Sequence, residues 1–254
     1  MKALYAAASG MAAQQTRLDN IANNLANVNT VGFKKAREDF QDLFYQQLVT
    51  SSPGVTASRA EVGSGVRLVS LEKNHTAGAL TETGNLLDVG IDGQGMFVLE
   101  TLDGERVYSR DGSFRRDQDG NLVSSGGLRV GGDIMIPVDT EKLVITEDGT
   151  VQAQLAGDVD YTTLGQLDLV RFVNPAGLRP IGGNLYVETP ESGLPAPAEG
   201  GTDFRLAQGF LEGSNVDIAE ELIQMIMAQR SYELNSKVVK TAEETLNVAV
   251  NLKR

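Results

Sequence analysis

One histidine, His75, and no cysteine are all that this 254-residue chain offers of the two side chains most used for nucleophilic, redox and metal chemistry. Without thiols there is no disulfide frame, thiolate nucleophile, iron–sulfur cluster or thiolate zinc site, and a lone imidazole cannot build a multi-histidine centre. Gly63-Ser64-Gly65 lacks the strand-to-helix setting and the flanking glycine of an esterase elbow, and His75 lies in a Thr- and Gly-rich stretch. Asp117-Gln118-Asp119-Gly120-Asn121 starts like a calcium loop, but Leu122 and Leu128 stand where that loop needs Gly and Glu. Gly93-Gln94-Gly95 opens like a dinucleotide fingerprint, yet Val98 replaces its third glycine and no helical crossover follows. What remains is carboxylate. A pair such as Asp88 and Asp111 has the chemistry of acid–base glycoside hydrolysis, but acidic residues beside glycines in an acidic β region serve as turn formers and solvated charge. The sequence therefore predicts no catalytic, cofactor-binding or metal-ligating residue.

Glycine and proline show which elements hold these residues. All 7 prolines lie between Pro53 and Pro197, and 26 of the 28 glycines fall between Pro53 and Gly213, so the two ends are helix-compatible and the middle is not. The middle reads as antiparallel β. Asp103-Gly104, Asp111-Gly112, Asp119-Gly120 and Asp148-Gly149 are turn dipeptides, separated by β-prone runs such as Met96-Phe97-Val98-Leu99, Leu143-Val144-Ile145-Thr146 and Leu167-Asp168-Leu169-Val170. From Phe33 a second helix is expected, with Phe33, Phe40, Phe44 and Leu48 on one face; Gln46 to Gly65 then reads as extended, with no core of its own.

At the N-terminus Leu4, Met11, Leu18 and Leu25 recur every seven residues, with Ala7, Gln14, Ile21 and Val28 on the interleaved row. The pattern closes at Asn29 to Gly32, where Gly32 can take a left-handed conformation. From Ser214 onward there is no Gly or Pro, and Ile218, Met225, Tyr232, Val239 and Leu246 repeat the same spacing, with Leu222 and Val250 on the companion row. Asn215 or Asp217 can cap that helix, and Glu220 and Glu221 suit its first turn. Five asparagines crowd Asn20 to Asn29; Asn23 and Asn27, four apart, would stack on one face and fix the register between helices. The expected assembly interface is thus Leu4, Met11, Leu18, Ile21, Asn23, Leu25, Asn27, Val28, Ile218, Leu222, Met225, Tyr232, Val239 and Leu246.

Net charge is -12, which gives no electrostatic grip on phosphate backbones or anionic lipid, and no apolar run is long enough for a membrane span. Neither nucleic acid nor membrane insertion is expected. The Ala-rich start is short of the bulky residues of a signal peptide and continues its periodicity into polar sequence, so a helix face explains it better. Residues 1–60 hold 6 basic and 4 acidic side chains and residues 218–254 hold 5 of each, leaving 11 basic and 25 acidic between them. Near-neutral ends can pack against copies of themselves while an acidic midsection keeps free chains soluble. The fold class expected is α+β: long terminal helices form a coiled-coil-like inner region around a central, irregular antiparallel all-β domain. Its parts are an N-terminal helix over 1–32 that pairs with 214–254, a helical then extended linking region over 33–74, a β domain over 75–213 and a C-terminal helix over 214–254.

Several blocks carry a resemblance. LDNIANNLANVNTVGFKKAREDF (Leu18 to Phe40), TGNLLDVGIDGQGMFVLE (Thr83 to Glu100), YSRDGSFRRDQDGNLV (Tyr108 to Val123), NPAGLRPIGGNLY (Asn174 to Tyr186), QGFLEGSNVDIAEELIQMI (Gln208 to Ile226) and AQRSYELNSKVV (Ala228 to Val239) are similar, in this order, to blocks of the axial proteins of the bacterial flagellum. The match runs nearly end to end. DLFYQQL (Asp42 to Leu48) and the Ser/Pro/Gly stretch up to GSGVRLVS (Gly63 to Ser70) resemble the extended insert of the distal-rod members. The resemblance implies a non-enzymatic subunit, exported unfolded through the flagellar type III apparatus without a cleaved signal peptide. It would polymerise into the rigid shaft of the basal body that crosses the periplasm and transmits torque from motor to hook. Implied partners are copies of itself, proximal rod proteins, the hook protein and the surrounding ring (bushing) proteins, with no cofactor. Alternatives are a proximal-rod or hook-type paralogue and, in a different class, a rod-associated cell-wall-active enzyme. His75 has no role that the resemblance supplies.

Overall fold

The computed structural model describes residues 2–50, 58–101, 103–157 and 160–251. The chain forms two compact units, a helical one made of Met1–Ala26, Ala36–Glu72 and Asp217–Arg254, and a β unit made of Asn27–Lys35 and Lys73–Val216.

The helical unit contains α1 (Lys2–Ala26) and α2 (Ile218–Asn251), which pack against one another. They run antiparallel: Asn24 donates to Glu221, Arg17 to Gln224, and Gly10 lies against Asn235. A Cβ on Gly10 would stand 2.9 Å from Asn235 Nδ2, so a larger residue there would oblige the Asn235 side chain to shift. Asp217 rather than Asn215 caps α2, its Oδ1 accepting from the amides of Ala219 (2.8 Å) and Glu220 (3.2 Å). At 34 residues, about 50 Å, α2 outruns the 25 residues of α1.

The helix expected from Phe33 does not form. Residues Ala36–Asp42 are a strand, β1, and the chain continues through β2 (Gln46–Thr50), β3 (Ser58–Val62) and β4 (Val66–Lys73). β1 pairs with β4 and β2 with β3, giving a two-stranded ribbon whose residues 51–57 lie outside the described ones. The 33/40/44/48 spacing mimicked a helix face, but Phe44 is 92% exposed and meets no core. Asn24 takes the backbone of Ala36 instead, accepting from its N–H and donating to its carbonyl, both at 3.1 Å, which holds the chain extended there. The Ala-rich start of α1 now has a packing reason. A Cβ on Gly65, at φ +112°, would fall 2.1 Å from Ser9 Oγ and 3.3 Å from the Cα of Ala6, so the ribbon's backbone needs small side chains on α1 to lie so near.

The β unit is mostly antiparallel. Its largest sheet follows the order Arg179–Gly182, Leu185–Val187, Arg106–Ser109, Met96–Glu100, Arg129–Val130, Leu122–Ser124, Phe114–Arg116, with Leu169–Arg171 also paired to Met96–Glu100. A three-stranded sheet joins Thr140–Ile145, Thr150–Leu155 and Thr162–Gln166. Met96 to Leu99 explains why that strand is apolar without alternation: Phe97 and Leu99 enter the main core, while Met96 and Val98 enter a second cluster with Tyr108, Phe172, Leu178 and Tyr186. Phe97 meets Phe114 edge-on at 5.0 Å between ring centroids. Asp117 to Asn121 is a hairpin turn, closed by Gly120 N–H to the carbonyl of Asp117 at 3.1 Å.

Candidate assembly interface

Of the expected interface residues, the structure buries one. Ile21 is 3% exposed; Leu4, Met11, Leu18, Leu25, Asn27, Val28, Met225 and Val239 are half-buried; Asn23, Ile218, Leu222, Tyr232 and Leu246 are exposed. Within the helix pair the contact is made by smaller and more polar groups. Arg17 and Asn24 of α1 donate to Gln224 and Glu221 of α2 and Gly10 lies against Asn235, while Ala7, Ile21 and Ala228 are buried, Ala228 at only 1% exposure. A strict seven-residue row drifts about 20° per heptad on a straight helix, so Ile218, Met225, Tyr232 and Val239 slide from the flank of α2 towards its α1-facing side. The antiparallel register also leaves Leu246, Val248 and Val250 beyond the start of α1, where they are exposed.

Sequence periodicity picked out only Leu222 of a second apolar face on α2. Leu222, Ile223, Ile226, Met227 and Leu234 lie away from α1 and are 44–65% exposed. A helix that is apolar on two faces can be covered on only one of them by α1. The ribbon has the same character, with Phe44, Tyr45, Val69 and Leu71 more than half exposed, and a two-stranded ribbon is marginally stable in water by itself.

Part of the asparagine cluster ties α1 to the strand that follows it. α1 ends at Ala26, and Asn27 Oδ1 accepts from Thr30 Oγ1 at 3.1 Å in the following turn. Asn20 and Asn24, also four apart, are the buried pair at 8% and 2% exposure. Asn20 donates to the carbonyl of Ala36 at 2.9 Å and to Glu38 Oε1 at 2.5 Å. The same amide chemistry thus fixes strand to helix. The clue was present in the spacing, but two pairs of asparagines shared it.

A buried ionic hub in the β unit had no counterpart in the sequence reading. Glu212, fully buried, accepts from Lys34 Nζ at 2.5 Å, from the amide of Gly78 at 2.8 Å and from Arg110 at 3.1 Å, while its own carbonyl accepts from Gly32 N–H at 2.8 Å. Burial pulls the Lys34 ammonium below the usual lysine range, against the attraction of Glu212. Lys34 also donates to the carbonyl of Thr76 at 2.7 Å, and Arg110 to that of Gly93 at 2.9 Å. Asn215, freed from capping, accepts from Lys35 N–H at 2.8 Å and donates to the carbonyl of Asn74 at 2.8 Å.

The carboxylates weighed for hydrolysis are occupied in turns. Asp88 accepts from Thr83 Oγ1 (2.6 Å) and Asn85 Nδ2 (3.0 Å), and Asp111 from the amide (2.9 Å) and hydroxyl (2.6 Å) of Ser113. Among the described residues no group of three or more His, Asp or Glu side chains could hold a metal ion, and no helix is long and apolar enough to cross a membrane.

Family comparisons cover both units. Residues 4–34 match the flagella basal body rod protein model, 90–153 the D1 domain of flagellar hook protein FlgE/F/G, and 207–252 the C-terminal region of flagellar basal body rod FlgEFG proteins. The chain is 46% identical to flagellar basal-body rod protein FlgG of Agrobacterium fabrum over 100% of both chains. It is 43% identical to that of Borreliella burgdorferi over 100% of this chain and 99% of the relative. A flagellar hook protein FlgE of Treponema pallidum is 44% identical over 57% of this chain and 32% of its own. Paired terminal helices with uncovered apolar faces, a β unit whose probed carboxylates sit in turns, and full-length identity to rod proteins agree: the chain belongs to the flagellar basal-body rod protein family.

Proposed function

We propose that this structural rod subunit of the flagellar basal body polymerises helically into the distal rod, with α1 and α2 packed as a coiled-coil-like inner tube. The observation that carries the reading is the second apolar face of α2, Leu222 to Leu234, left uncovered by α1. Copies of the same chain supply the matching surface: the half-buried flank of α1, Leu4, Met11, Leu18 and Leu25, is of the same chemistry and is only partly used within the subunit. A surface of one subunit packing on a different surface of the next gives a heterologous contact that does not close, and hence a filament. Asn23, Asn27, Val28, Ile218, Met225, Tyr232, Val239 and Leu246 border this contact in the proposal. Proximal rod proteins and the hook protein would continue the shaft at its two ends, and ring proteins would meet the β units. In this reading the subunit is exported without cleavage of its N-terminus, because α1 itself supplies the inner wall, and the assembled shaft carries torque from motor to hook.

The ribbon is the lateral tie. With Phe44, Tyr45, Val69 and Leu71 uncovered, it gains order by lying on an adjacent subunit, where it resists sliding between protofilaments. Deleting Ser51 to Ala60 should leave polymers that still form through the helices yet bend or curve in electron micrographs. Shafts as straight and stiff as the parent's would make the segment a passive linker and remove the distal-rod assignment of its role.

A further inference from the structure

We propose that Glu212, Lys34, Arg110 and a neutral His75 form an acid-released fastener that gathers, within the β unit, three of the four places where the chain passes between its two units. Those passages follow residues 26, 35, 72 and 216. The β-unit ends of the last three are tied to one another directly. Lys35 N–H donates to Asn215, Asn74 N–H donates to the carbonyl of Lys35 at 2.9 Å, and Lys73 Nζ donates to the carbonyl of Lys34 at 2.9 Å while covering the Phe33 ring at 4.3 Å. Glu212 is the centre of this knot, since it binds the 32–34 segment, the 78 turn and Arg110 together.

His75 sits in the same knot without a polar anchor. Both ring nitrogens are buried and unpartnered, and its ring packs edge-on against Tyr186 at 5.2 Å. The charged groups bearing on it are all cations, Lys34, Arg110 and Lys73, and Tyr186, on the strand packed against it, stays neutral because burial raises its phenol to about 12. A neutral imidazole tolerates this site. An imidazolium would add another positive charge to a dry cluster in which Glu212 already answers two.

Burial first, and then the three cations, hold His75 down at about 4 from its ordinary 6.5. The sign follows from proton uptake: with the knot open the ring binds a proton more readily than with it closed. Closure is therefore complete above about 6.5 and weakens about tenfold per unit of falling pH, until about 4 is reached.

Hydrogen exchange of the full-length monomer, read at residues 30–36, 73–79 and 209–216 and corrected for intrinsic rates, tests this between pH 7.5 and 4.5. Relative to the core strand Met96–Glu100, opening of these segments should rise with acid in the parent and stay flat in His75→Gln. Glu212→Gln should open the same three segments together at pH 7.5. A parent without the acid rise, or a His75→Gln variant that keeps it, would overturn the proposal; the His75→Gln profile decides even if Glu212→Gln does not fold.

Discussion

Leu222→Asp should raise the concentration needed for polymerisation at least about a hundredfold, and Ile226→Asp by less, while the monomer keeps its fold. Both side chains are about half exposed in the subunit, so the new carboxylate meets water there and costs little. In the polymer a carboxylate at 222 would be buried on an apolar face, a penalty on the order of 3 kcal/mol or more, whereas one at 226 stands a helical turn from Arg230, which lines the same groove, and would cost less. Sedimentation of the purified variants, with circular dichroism to confirm helix content, separates the two effects. Polymerisation at the parent's concentration would remove this face from the interface. Met225 is a poorer probe, because it is half-buried inside the subunit and an Asp there would perturb the helix pair as well.

Glu212→Ala should be the most damaging single substitution in the β unit's ionic hub, lowering stability by about 3–5 kcal/mol. It strands Lys34 and Arg110, both nearly without solvent, and also frees the amide of Gly78. Lys34→Met should cost less, because Arg110 still answers the carboxylate and the methionine fills most of the lysine's volume. Thermal unfolding followed on the β unit checks both; a Glu212→Ala loss below about 1 kcal/mol would mean that the cluster is effectively solvated.

Particular residues show what the sequence made legible. The absence of Gly and Pro after Ser214 marked α2, and Asp217 was one of two candidate caps because a short acidic side chain before a periodic run satisfies free amides. Met96 to Leu99 read as a strand because its residues are β-prone, and its lack of alternation reflects cores on both of its faces. Other features depended on tertiary partners that spacing does not encode. The 33–48 apolar period fitted a helix, yet Asn20 and Asn24 bind Ala36 in a strand. The heptad rows included Ala7 but passed over Gly10, Ala228 and Asn235, of which Gly10 lies against Asn235 and Ala228 is buried. Lys34 and Glu212 are 178 residues apart, and nothing local distinguishes a fully buried lysine from the half-buried Lys35 beside it in the motif.

A helical reconstruction of the polymer formed by the purified chain tests the central claim most directly. The account predicts that α1 and α2 of successive subunits line an inner tube and that Leu222, Ile223, Ile226 and Leu234 are covered by neighbouring copies. A polymer held together through its β units, with that face of α2 still in water, would contradict it.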